Sequence, residues 1–489
     1  MLDIKSGEVK SIECGLLMIP VAEDELLHGD ASVRDLVDAA KAYPEFRGRK
    51  SDELLLYRPA GTRAERVLFL GVGKNREADA ESFRKAAGKA VKKAIALELR
   101  DLVLRLPEAG RTAPDLPVAA AAFLEGACLG NHVFDLYKKE KKQTQAESIT
   151  LLTDADAAGS LEGLARRVEI ICKASLMARD WVSMPPNEKR PDRFVRSITK
   201  AADKEDLSVT VLDEPALKKN KMGGILAVGA GSRSRARMVI LEYSPKKAQK
   251  TYALVGKGVT FDSGGINLKS ATGLDDMKMD MGGAASVAAA MVAVSRLKPA
   301  YRVVGLIPVV ENMPSGDAAR PGDIITSYTG KTVEIGNTDA EGRLILIDAL
   351  AYAERMFAPD VMVDIATLTG ACIMALGEKI AGVFTKDAEL SQALVSAGET
   401  VHERCWAMPL PEDYRELLKS DFADIRNIGS SRWGGAIAAA LFLSEFVQNS
   451  RWAHIDIAGP AYSRKGSDYC GAGGTGFGVR LLIEALENL

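Results

Sequence analysis

Apolar runs alternate with amphipathic stretches along most of the chain, which is the pattern of an α/β protein. From residue 175 onward several predicted strands are continuously apolar, as expected of strands that are covered on both faces. The strands predicted there are 208–212, 236–242, 252–255, 302–310, 332–335, 361–365 and 454–457. Helical periodicity is clearest at 283–297 and 344–357. This alternation predicts a mostly parallel central sheet flanked by helices, with ligands bound at the carboxyl ends of its strands.

The first third of the chain predicts a smaller α/β domain. Strands are predicted at 66–70, 102–106 and 148–152, and a helix is predicted at 80–96. The Gly-Val-Gly-Lys sequence at 71–74 has neither the spacing of a phosphate-binding loop nor the third glycine of a dinucleotide fingerprint. We therefore interpret it as a tight turn from strand to helix.

A long helix predicted at 161–182 marks the division between two domains. It ends before Pro185 and Pro186, which cannot continue a helix. The charged stretch at 138–147, which precedes this helix, is typical of a solvated linker. We expect three parts: an N-terminal α/β domain over 1–160, a linking helix and turn over 161–187, and a larger C-terminal domain over 188–489.

Composition and charge exclude several classes of protein. The 489 residues are 47% hydrophobic and 27% charged, with a net charge of -2. This balance argues against a chain built chiefly to coat nucleic acid or anionic membranes. None of the six cysteines belongs to a Cys-x-x-Cys pair, and the first residues lack the apolar core of a secretory signal. No stretch approaches the roughly 20 apolar residues of a membrane span. We expect a reduced, cytoplasmic protein.

Charged side chains gather in three glycine-rich loops at 255–269, 275–283 and 337–344. These loops hold the acids Asp262, Asp280, Asp339 and Glu341 and the bases Lys257, Lys269 and Arg343. The four histidines of the chain include no pair at helical spacing, which excludes a His-Glu-x-x-His zinc site. Carboxylates favour divalent ions that accept oxygen ligands, and two such ions would suit a hydrolase that activates water. On spacing alone, surface ion pairs or helix caps explain the same residues equally well.

Other residues in this region have simpler interpretations. Ser263 could be a nucleophile, but no histidine lies near it in the sequence. His454 lies in an apolar run and is interpreted as a core histidine, and Cys372 is interpreted as a small buried residue. Asp456, at a predicted strand end, could support the site from behind or merely form a cap.

At these loops the sequence resembles the leucyl aminopeptidase family of cytosolic metallopeptidases. The octapeptide NTDAEGRL at 337–344 is similar to that family's signature. The other matching segments are VGKGVTFDSGG at 255–265, MKMDMGGAA at 277–285, ENMPSG at 311–316, RPGDI at 320–324 and ATLTGA at 366–371. The strong resemblance covers about residues 175–489, which identifies the C-terminal domain as the catalytic one. Ser183 and Ser270 depart from the family's usual Asn and Pro, but neither touches a metal ligand.

The resemblance implies two divalent metal ions, manganese or zinc, in each subunit. Asp262 and Glu341 would bridge the two ions. Asp339 would complete one metal site, through its carboxylate and its backbone carbonyl, while Lys257 and Asp280 would complete the other. Because a lysine can bind a metal only when it is neutral, this assignment requires a depressed pKa at Lys257, and adjacent dications and burial would both lower it.

The resemblance also implies the catalytic and substrate-binding residues. Lys269 would polarise the scissile carbonyl, and Arg343 would hold a bicarbonate ion that acts as general base toward the metal-bridging water. The residues implied in substrate binding are Met277, Asn337, Thr367, Gly370, Ala458 and Ala461. The implied protein is an aminopeptidase that releases N-terminal residues, preferentially leucine-like ones, from peptides. It would be a homohexamer, a dimer of trimers with its active sites facing an inner cavity.

Two other functions stay open from the residues. A nucleic-acid-binding regulator on a peptidase scaffold has only the clustered lysines at 138–142 in its favour. A two-metal hydrolase of phosphate esters would need more basic groups converging on its substrate, and it does not explain the signature octapeptide.

Overall fold

A computed structural model describes residues 2–141 and 144–489. These residues form two compact units. The N-terminal unit extends to Lys173 and also includes Lys465–Ala472, and the C-terminal unit comprises Ala174–Arg464 and Gly473–Leu489. The predicted fold class, a smaller N-terminal and a larger C-terminal α/β domain, is confirmed. Lys142, part of the lysine cluster, lies outside the described residues.

The elements are numbered in chain order. The helices are α1 Ala31–Lys41, α2 Ala80–Ala96, α3 Leu116–Gly130, α4 Ala155–Ser160, α5 Leu164–Ser183, α6 Pro191–Ala202, α7 Glu214–Lys219, α8 Gly223–Gly229, α9 Gly282–Leu297, α10 Glu341–Phe357, α11 Gly370–Leu376, α12 Ala388–Val401, α13 Gly435–Ser444 and α14 Val479–Asn488. Short 3-10 helices span Asn75–Glu77, Pro186–Glu188, Leu274–Met279 and Glu412–Leu418.

The strands are β1 Leu2–Ser6, β2 Leu16–Ala22, β3 Glu53–Tyr57, β4 Arg66–Gly73, β5 Asp101–Arg105, β6 Ser148–Thr153, β7 Ser208–Leu212, β8 Arg237–Tyr243, β9 Thr251–Gly256, β10 Gly258–Asp262, β11 Arg302–Asn312, β12 Ile324–Thr326, β13 Thr332–Glu334, β14 Val361–Ala366, β15 Ala381–Phe384, β16 Cys405–Met408, β17 Ile425–Arg426, β18 Arg451–Asp456, β19 Tyr462–Ser463 and β20 Gly473–Gly474.

The N-terminal unit is built on a six-stranded sheet in the order β1-β6-β5-β2-β4-β3. Neighbouring strands are parallel except β3 and β4, which are antiparallel. The segment 465–472 packs on α2, where a Cβ on Gly88 would lie 2.6 Å from the Cβ of Tyr469. Lys92 Nζ also donates to the backbone carbonyl of Cys470, at 3.3 Å. A late piece of the chain therefore completes the N-terminal unit.

The C-terminal unit is built on a nine-stranded sheet. Its order is β16-β15-β18-β14-β9-β11-β8-β7, and β10 pairs with β11 beside this path. The central strands β18, β14, β9 and β11 run parallel to one another. β9 and β14 are buried on both faces almost throughout, which explains why their sequences are continuously apolar. The carboxyl ends of these parallel strands therefore share one edge of the sheet.

Two buried helices, α9 and α10, pack against this sheet and begin at the edge where the parallel strands end. All but two residues of α9 are buried, and it is rich in alanine and glycine, which allow close packing on the strands. The first two-thirds of α10 are also buried, and they join the main core with residues such as Leu346 and Leu350. The loops that precede both helices are thus held by elements that cannot shift without opening the core.

The predicted strands overlap observed strands, with one difference in their arrangement. The predicted strand at 332–335 corresponds to β13, which does not join the main sheet. β13 pairs instead with β12 and β17 in a separate three-stranded sheet. These strands are only two or three residues long. β13 lies just before the octapeptide 337–344, called the signature loop below, and β17 lies just before Asn427.

One helical stretch among the described residues, Leu274–Leu297, has the length and mean hydropathy of a membrane span. Its run without charged residues, 281–295, is shorter than the roughly 20 apolar residues of a membrane span, and alanines contribute to its mean hydropathy of 1.2. Within the structure, 89% of its most apolar window is buried. A core helix satisfies the same criterion as readily as a membrane span.

Gly224 provides a test of how α8 and α10 pack. A Cβ at this position would lie 2.0 Å from the carbonyl oxygen of Leu344. We expect Gly224→Ala to lower the free energy of unfolding by about 1–3 kcal/mol, as overpacking a tight contact does. Gly316→Ala is the control, since a Cβ there meets nothing within 4 Å. Chemical denaturation of both variants measures the effect, and equal stability of the two would contradict this packing.

Candidate metal centre

The loop between β9 and β10 places Lys257 at the edge where the parallel strands end. Its backbone N–H donates to the carbonyl of Ile365 in β14, at 3.2 Å, and its carbonyl accepts from Ala284 in α9, at 2.8 Å. Glycine is required nearby, because a Cβ on Gly283 would lie 2.0 Å from the carbonyl oxygen of Ile365. The close contact of α9 with β14 therefore fixes the backbone position of Lys257, from which its side chain projects.

Three of the predicted acids come together as a buried cluster. Asp262 ends β10, Asp280 precedes α9, and Glu341 begins α10. Ligand oxygens of these three residues all lie within 4.8 Å of one another, and all three side chains are buried. Burial and the neighbouring Glu341 raise the pKa of Asp262 to about 6, and burial raises the pKa of Asp280 well above its usual value. Such a cluster of like charges needs cations close by.

Lys257 supplies one of these positive charges. Its Nζ lies 2.7 Å from Asp280 Oδ1 and 2.8 Å from Glu341 Oε1, and it donates to the carbonyl of Thr367 at 2.8 Å. Burial opposes the charge of Lys257, but the carboxylates of Asp280 and Glu341 outweigh it and raise the pKa of the amine. The protein's own charges thus act against the depressed pKa expected above, which would have to come from bound dications.

Lys269 pairs with the other side of the cluster. Its Nζ lies 2.8 Å from Asp262 Oδ2 and 2.5 Å from Asp339 Oδ1. Burial opposes the charge of this amine, but the carboxylates raise its pKa. Asp339 and Lys269 are the more exposed members of the site, with side chains 33% and 24% accessible. The structure therefore brings all five predicted metal ligands and Lys269 to one place.

Asn312 and Thr338 hold the site together, although the sequence predicts no role for either. Asn312 Nδ2 donates to Asp262 Oδ1 at 2.8 Å and to the carbonyl of Thr338 at 3.0 Å. Thr338 Oγ1 donates to the carbonyl of Gly264 at 2.7 Å. Gly264 and Gly265 have positive φ, which lets the chain turn sharply after Asp262. Both segments occur in the matching motifs, but their spacing carries no signal for a supporting amide or hydroxyl.

Arg343 lies in the first turn of α10 and is buried. Its Nη1 donates to the backbone carbonyl of Asn427 at 2.8 Å, and its Nε has no hydrogen-bond partner among the described residues. Burial lowers its pKa to about 10, so it keeps its charge at neutral pH. Within the described part of the chain no carboxylate forms an ion pair with Arg343, which disfavours a purely structural pairing.

The six predicted substrate-binding residues differ in what they contact. Thr367 and Ala461 lie together, since a Cβ on Gly282 would be 3.3 Å from both side chains, and Thr367 Oγ1 donates to Asp280 Oδ1 at 2.8 Å. The Asn337 side chain accepts from the backbone of Asp339 at 2.8 Å, so it shapes the signature loop. Met277 lies in a 3-10 helix, and its backbone carbonyl accepts from the N–H of Asp280 at 3.3 Å. Gly370 begins α11, and Ala458 follows β18 and donates its N–H to Asp456 at 3.0 Å.

The alternative chemical interpretations find no support in the contacts. Ser263 Oγ donates to the carbonyl of Asn312 at 2.7 Å and accepts from Gly265 N. His454 is buried, and its Nδ1 lies 2.6 Å from Asp364 Oδ1, as expected of a core histidine. Asp456 accepts from the N–H groups of residues 368 and 458 and from the Thr369 hydroxyl. These bonds support the loops around the site from behind.

The donor set fits divalent metal ions. Carboxylate oxygens and a lysine amine converge on one buried place, and Oδ2 of Asp280 has no hydrogen-bond partner among the residues described. A buried carboxylate oxygen that lacks a donor is the kind of group that a cation satisfies. The residues that could hold the ions are Lys257, Asp262, Asp280, Asp339 and Glu341.

Comparisons with known proteins agree with this geometry. Residues 176–483 match the sequence model of the catalytic domain of the cytosol aminopeptidase family, and residues 18–141 match that of its N-terminal domain. The chain is 41% identical over 500 residues to a protein of Chlorobium phaeobacteroides, covering 99% of each chain. It is 45% identical over 459 residues to one of Chlorobaculum tepidum, covering 91% of this chain and 90% of that one. Both relatives are named "probable cytosol aminopeptidase".

A solved structure has the same fold over almost the whole chain. It is the bottromycin maturation enzyme BotP in complex with Mn, which is 36% identical and superposes with a TM-score of 0.86. The match covers 97% of this chain and 99% of that one. The resemblance found in the sequence is therefore confirmed: this chain belongs to the cytosol aminopeptidase family of metal-dependent peptide hydrolases.

Proposed function

We propose that this chain is a two-metal aminopeptidase that releases N-terminal residues, preferentially leucine-like ones, from peptides. The observation that carries this proposal is the buried cluster of Asp262, Asp280 and Glu341 with a lysine on either side. Hydrolysis of leucine amide after loading with Mn²⁺ or Zn²⁺ tests it. N-acetylated leucine amide is the matched control, because it lacks the free amino group, and equal cleavage of both would contradict the assignment.

Each metal ligand has a proposed position. Asp262 and Glu341 would each hold both ions, Asp339 would complete one metal site, and Lys257 and Asp280 would complete the other. The contacts of Lys257 support this division, since its amine pairs with Asp280 and Glu341 on one side of the cluster. Manganese is a reasonable occupant because BotP, which has the same fold, is described in complex with Mn.

When bound, the two ions supply Lewis-acid polarisation and lower the pKa of water toward neutrality. The residues of the chain supply the rest. Lys269, whose pKa is raised by its carboxylate neighbours, stays charged and donates a hydrogen bond to the oxyanion that develops on the scissile carbonyl. The free amino group of the substrate would bind one ion and donate to the carboxylate of Asp280, whose Oδ2 has no donor among the described residues. Recognition of that amino group restricts cleavage to the end of a peptide.

Arg343 is proposed to hold a bicarbonate ion that acts as general base. The acids of the site are committed to the metals, and the buried His454 in β18 is engaged by Asp364. Arg343 is buried, lies in the first turn of α10 and has an Nε that meets no hydrogen-bond partner in the described part of the chain. A charged guanidinium at the start of a helix is a favourable place for a small anion.

The side chain of the leaving residue is proposed to bind a pocket with small walls. The pocket residues are Met277, Thr367, Gly370, Ala458 and Ala461, and Asn337 is proposed as a further substrate-binding residue. Alanine and glycine leave room for a branched apolar side chain such as that of leucine, because a Cβ on Gly370 would meet nothing within 4 Å.

Two further proposals follow from the family resemblance. The protein would be a homohexamer, a dimer of trimers, in the cytoplasm, and its domain limits would lie at 160 and 187. Native mass spectrometry tests the hexamer.

Loss of a bridging carboxylate should empty or disorder both metal sites. We expect Asp262→Ala to bind one equivalent of metal or less and to be almost inactive, as measured by elemental analysis and turnover. Asp317→Ala, at an exposed aspartate in the same unit, is the control and should keep two equivalents. Two tightly bound ions in the Asp262 variant would show that this residue is not a bridging ligand.

Alanine variants of Lys257 and Lys269 should lose different properties of the enzyme. Lys257→Ala removes a metal ligand, so its affinity for one ion should fall. Lys269→Ala should keep both ions and lose turnover by about a hundredfold or more, as removal of an oxyanion donor does. Isothermal titration with Mn²⁺ and steady-state kinetics separate the two effects. Equal loss of metal in both variants would contradict this division of roles.

Bicarbonate should activate the enzyme through Arg343. In carbonate-free buffer, wild-type turnover should rise when bicarbonate is added, because the bound anion accepts the proton. Arg343→Ala should keep its metals and its fold, lose turnover, and respond much less to bicarbonate. A wild-type enzyme that is indifferent to bicarbonate, in degassed buffer with chelation controls, would show that the anion is not the base.

A further inference from the structure

Asn427 is a fully buried polar residue that follows β17 and lies beside the signature loop. Its backbone N–H donates to the carbonyl of Glu334 in β13, at 3.0 Å. This bond continues the short pairing of β13 with β17 by one residue. The three-stranded sheet therefore delivers one amide side chain to the place where the signature loop begins.

The side chain of Asn427 binds that loop through all of its polar groups. Oδ1 accepts from the backbone N–H groups of Gly336, at 2.7 Å, and Asn337, at 3.3 Å. Nδ2 donates to the backbone carbonyls of Asn337, at 2.8 Å, and Ala340, at 3.3 Å. A primary amide offers two acceptor and two donor positions, so the side chain is fully used. The backbone that carries Asp339 is wrapped around it.

The backbone of Asn427 also holds Arg343. Its carbonyl accepts the hydrogen bond from Arg343 Nη1 at 2.8 Å, which is the one hydrogen bond of that guanidinium to the described residues. Residue 427 thus contacts the chain on both sides of Glu341. On the N-terminal side it fixes the turn that presents Asp339, and on the C-terminal side it fixes the guanidinium.

We propose that Asn427 is a positioning residue for the reaction, which acts through the Asp339 loop and through Arg343. This inference rests on the proposed roles of those two residues. The geometry demands an amide at this position. In an aspartate, a carboxylate oxygen would replace Nδ2 and face the carbonyl oxygens of Asn337 and Ala340, where two acceptors repel each other. The loop would then open and move Asp339 away from the other ligands.

The test compares Asn427→Asp with a control in the same small sheet. Asp424 accepts from Thr332 N at 2.7 Å and from Thr332 Oγ1 at 2.8 Å, so it joins β13 to the segment before β17 without touching the signature loop. We expect Asn427→Asp to lose turnover or metal affinity by about 10- to 100-fold, as outer supports of metal ligands do. Asp424→Ala should melt at a lower temperature and keep its turnover per bound metal.

Mn²⁺ titration and kinetics on the purified full chain provide the readouts. Asn427→Ser keeps a hydroxyl that can serve part of the network, so it should lose less than Asn427→Asp. The proposal is overturned if both variants fold and keep wild-type turnover and metal content within twofold. It is equally overturned if neither folds while Asp424→Ala does, because Asn427 would then serve folding alone. Wild-type indifference to bicarbonate would count against the anion at Arg343 only, since the metal readout does not depend on it.

Discussion

The concentration of negative charge in a buried place is the constraint on which the rest of this structure depends. Asp262, Asp280 and Glu341 lie within 4.8 Å of one another and are almost inaccessible to water. Like charges at this distance in a protein interior repel strongly unless cations neutralise them. In the structure the amines of Lys257 and Lys269 provide this neutralisation, the first beside Glu341 and the second beside Asp262. Bound dications would supply much more positive charge, which is why Lys257 could then act as a neutral ligand.

Holding such a cluster requires a rigid surrounding, and the fold provides it through backbone contacts. Each acid lies at the end or the start of an element that is itself buried: β10, α9 or α10. Glycines allow these elements to approach so closely that a single Cβ would collide with a carbonyl oxygen, as at Gly283. Amide and hydroxyl side chains, together with the carboxylate of Asp456, then fix the loops.

For physical reasons, the sequence allowed us to predict most of the fold and which charged side chains the structure brings together. Strands such as β9 and β14 are recognisable because burial on both faces makes them continuously apolar. The strand β2 was not predicted; its Pro20 argues against a central strand, yet β2 pairs with both β4 and β5.

The supports of the site could not be predicted in the same way. Carboxylates and lysines in glycine-rich loops have a chemical meaning that spacing reveals. Asn312 and Asn427 reach the site from distant segments, and a single amide has no pattern that distinguishes it from a surface residue. Their roles depend on which backbone groups they meet, which only the folded chain shows.

The return of residues 465–472 to the N-terminal unit limits how far this protein can be treated as two modules. Tyr469 and its neighbours pack against Gly88, although nearly 300 residues of the other unit intervene in the sequence. A proteolytic cut in the linking helix would leave two polypeptides that still share one folded unit. Gene fusion or exchange of the first 173 residues alone would transfer an incomplete sheet-and-helix unit that lacks its last piece. The two units are therefore constrained to evolve together.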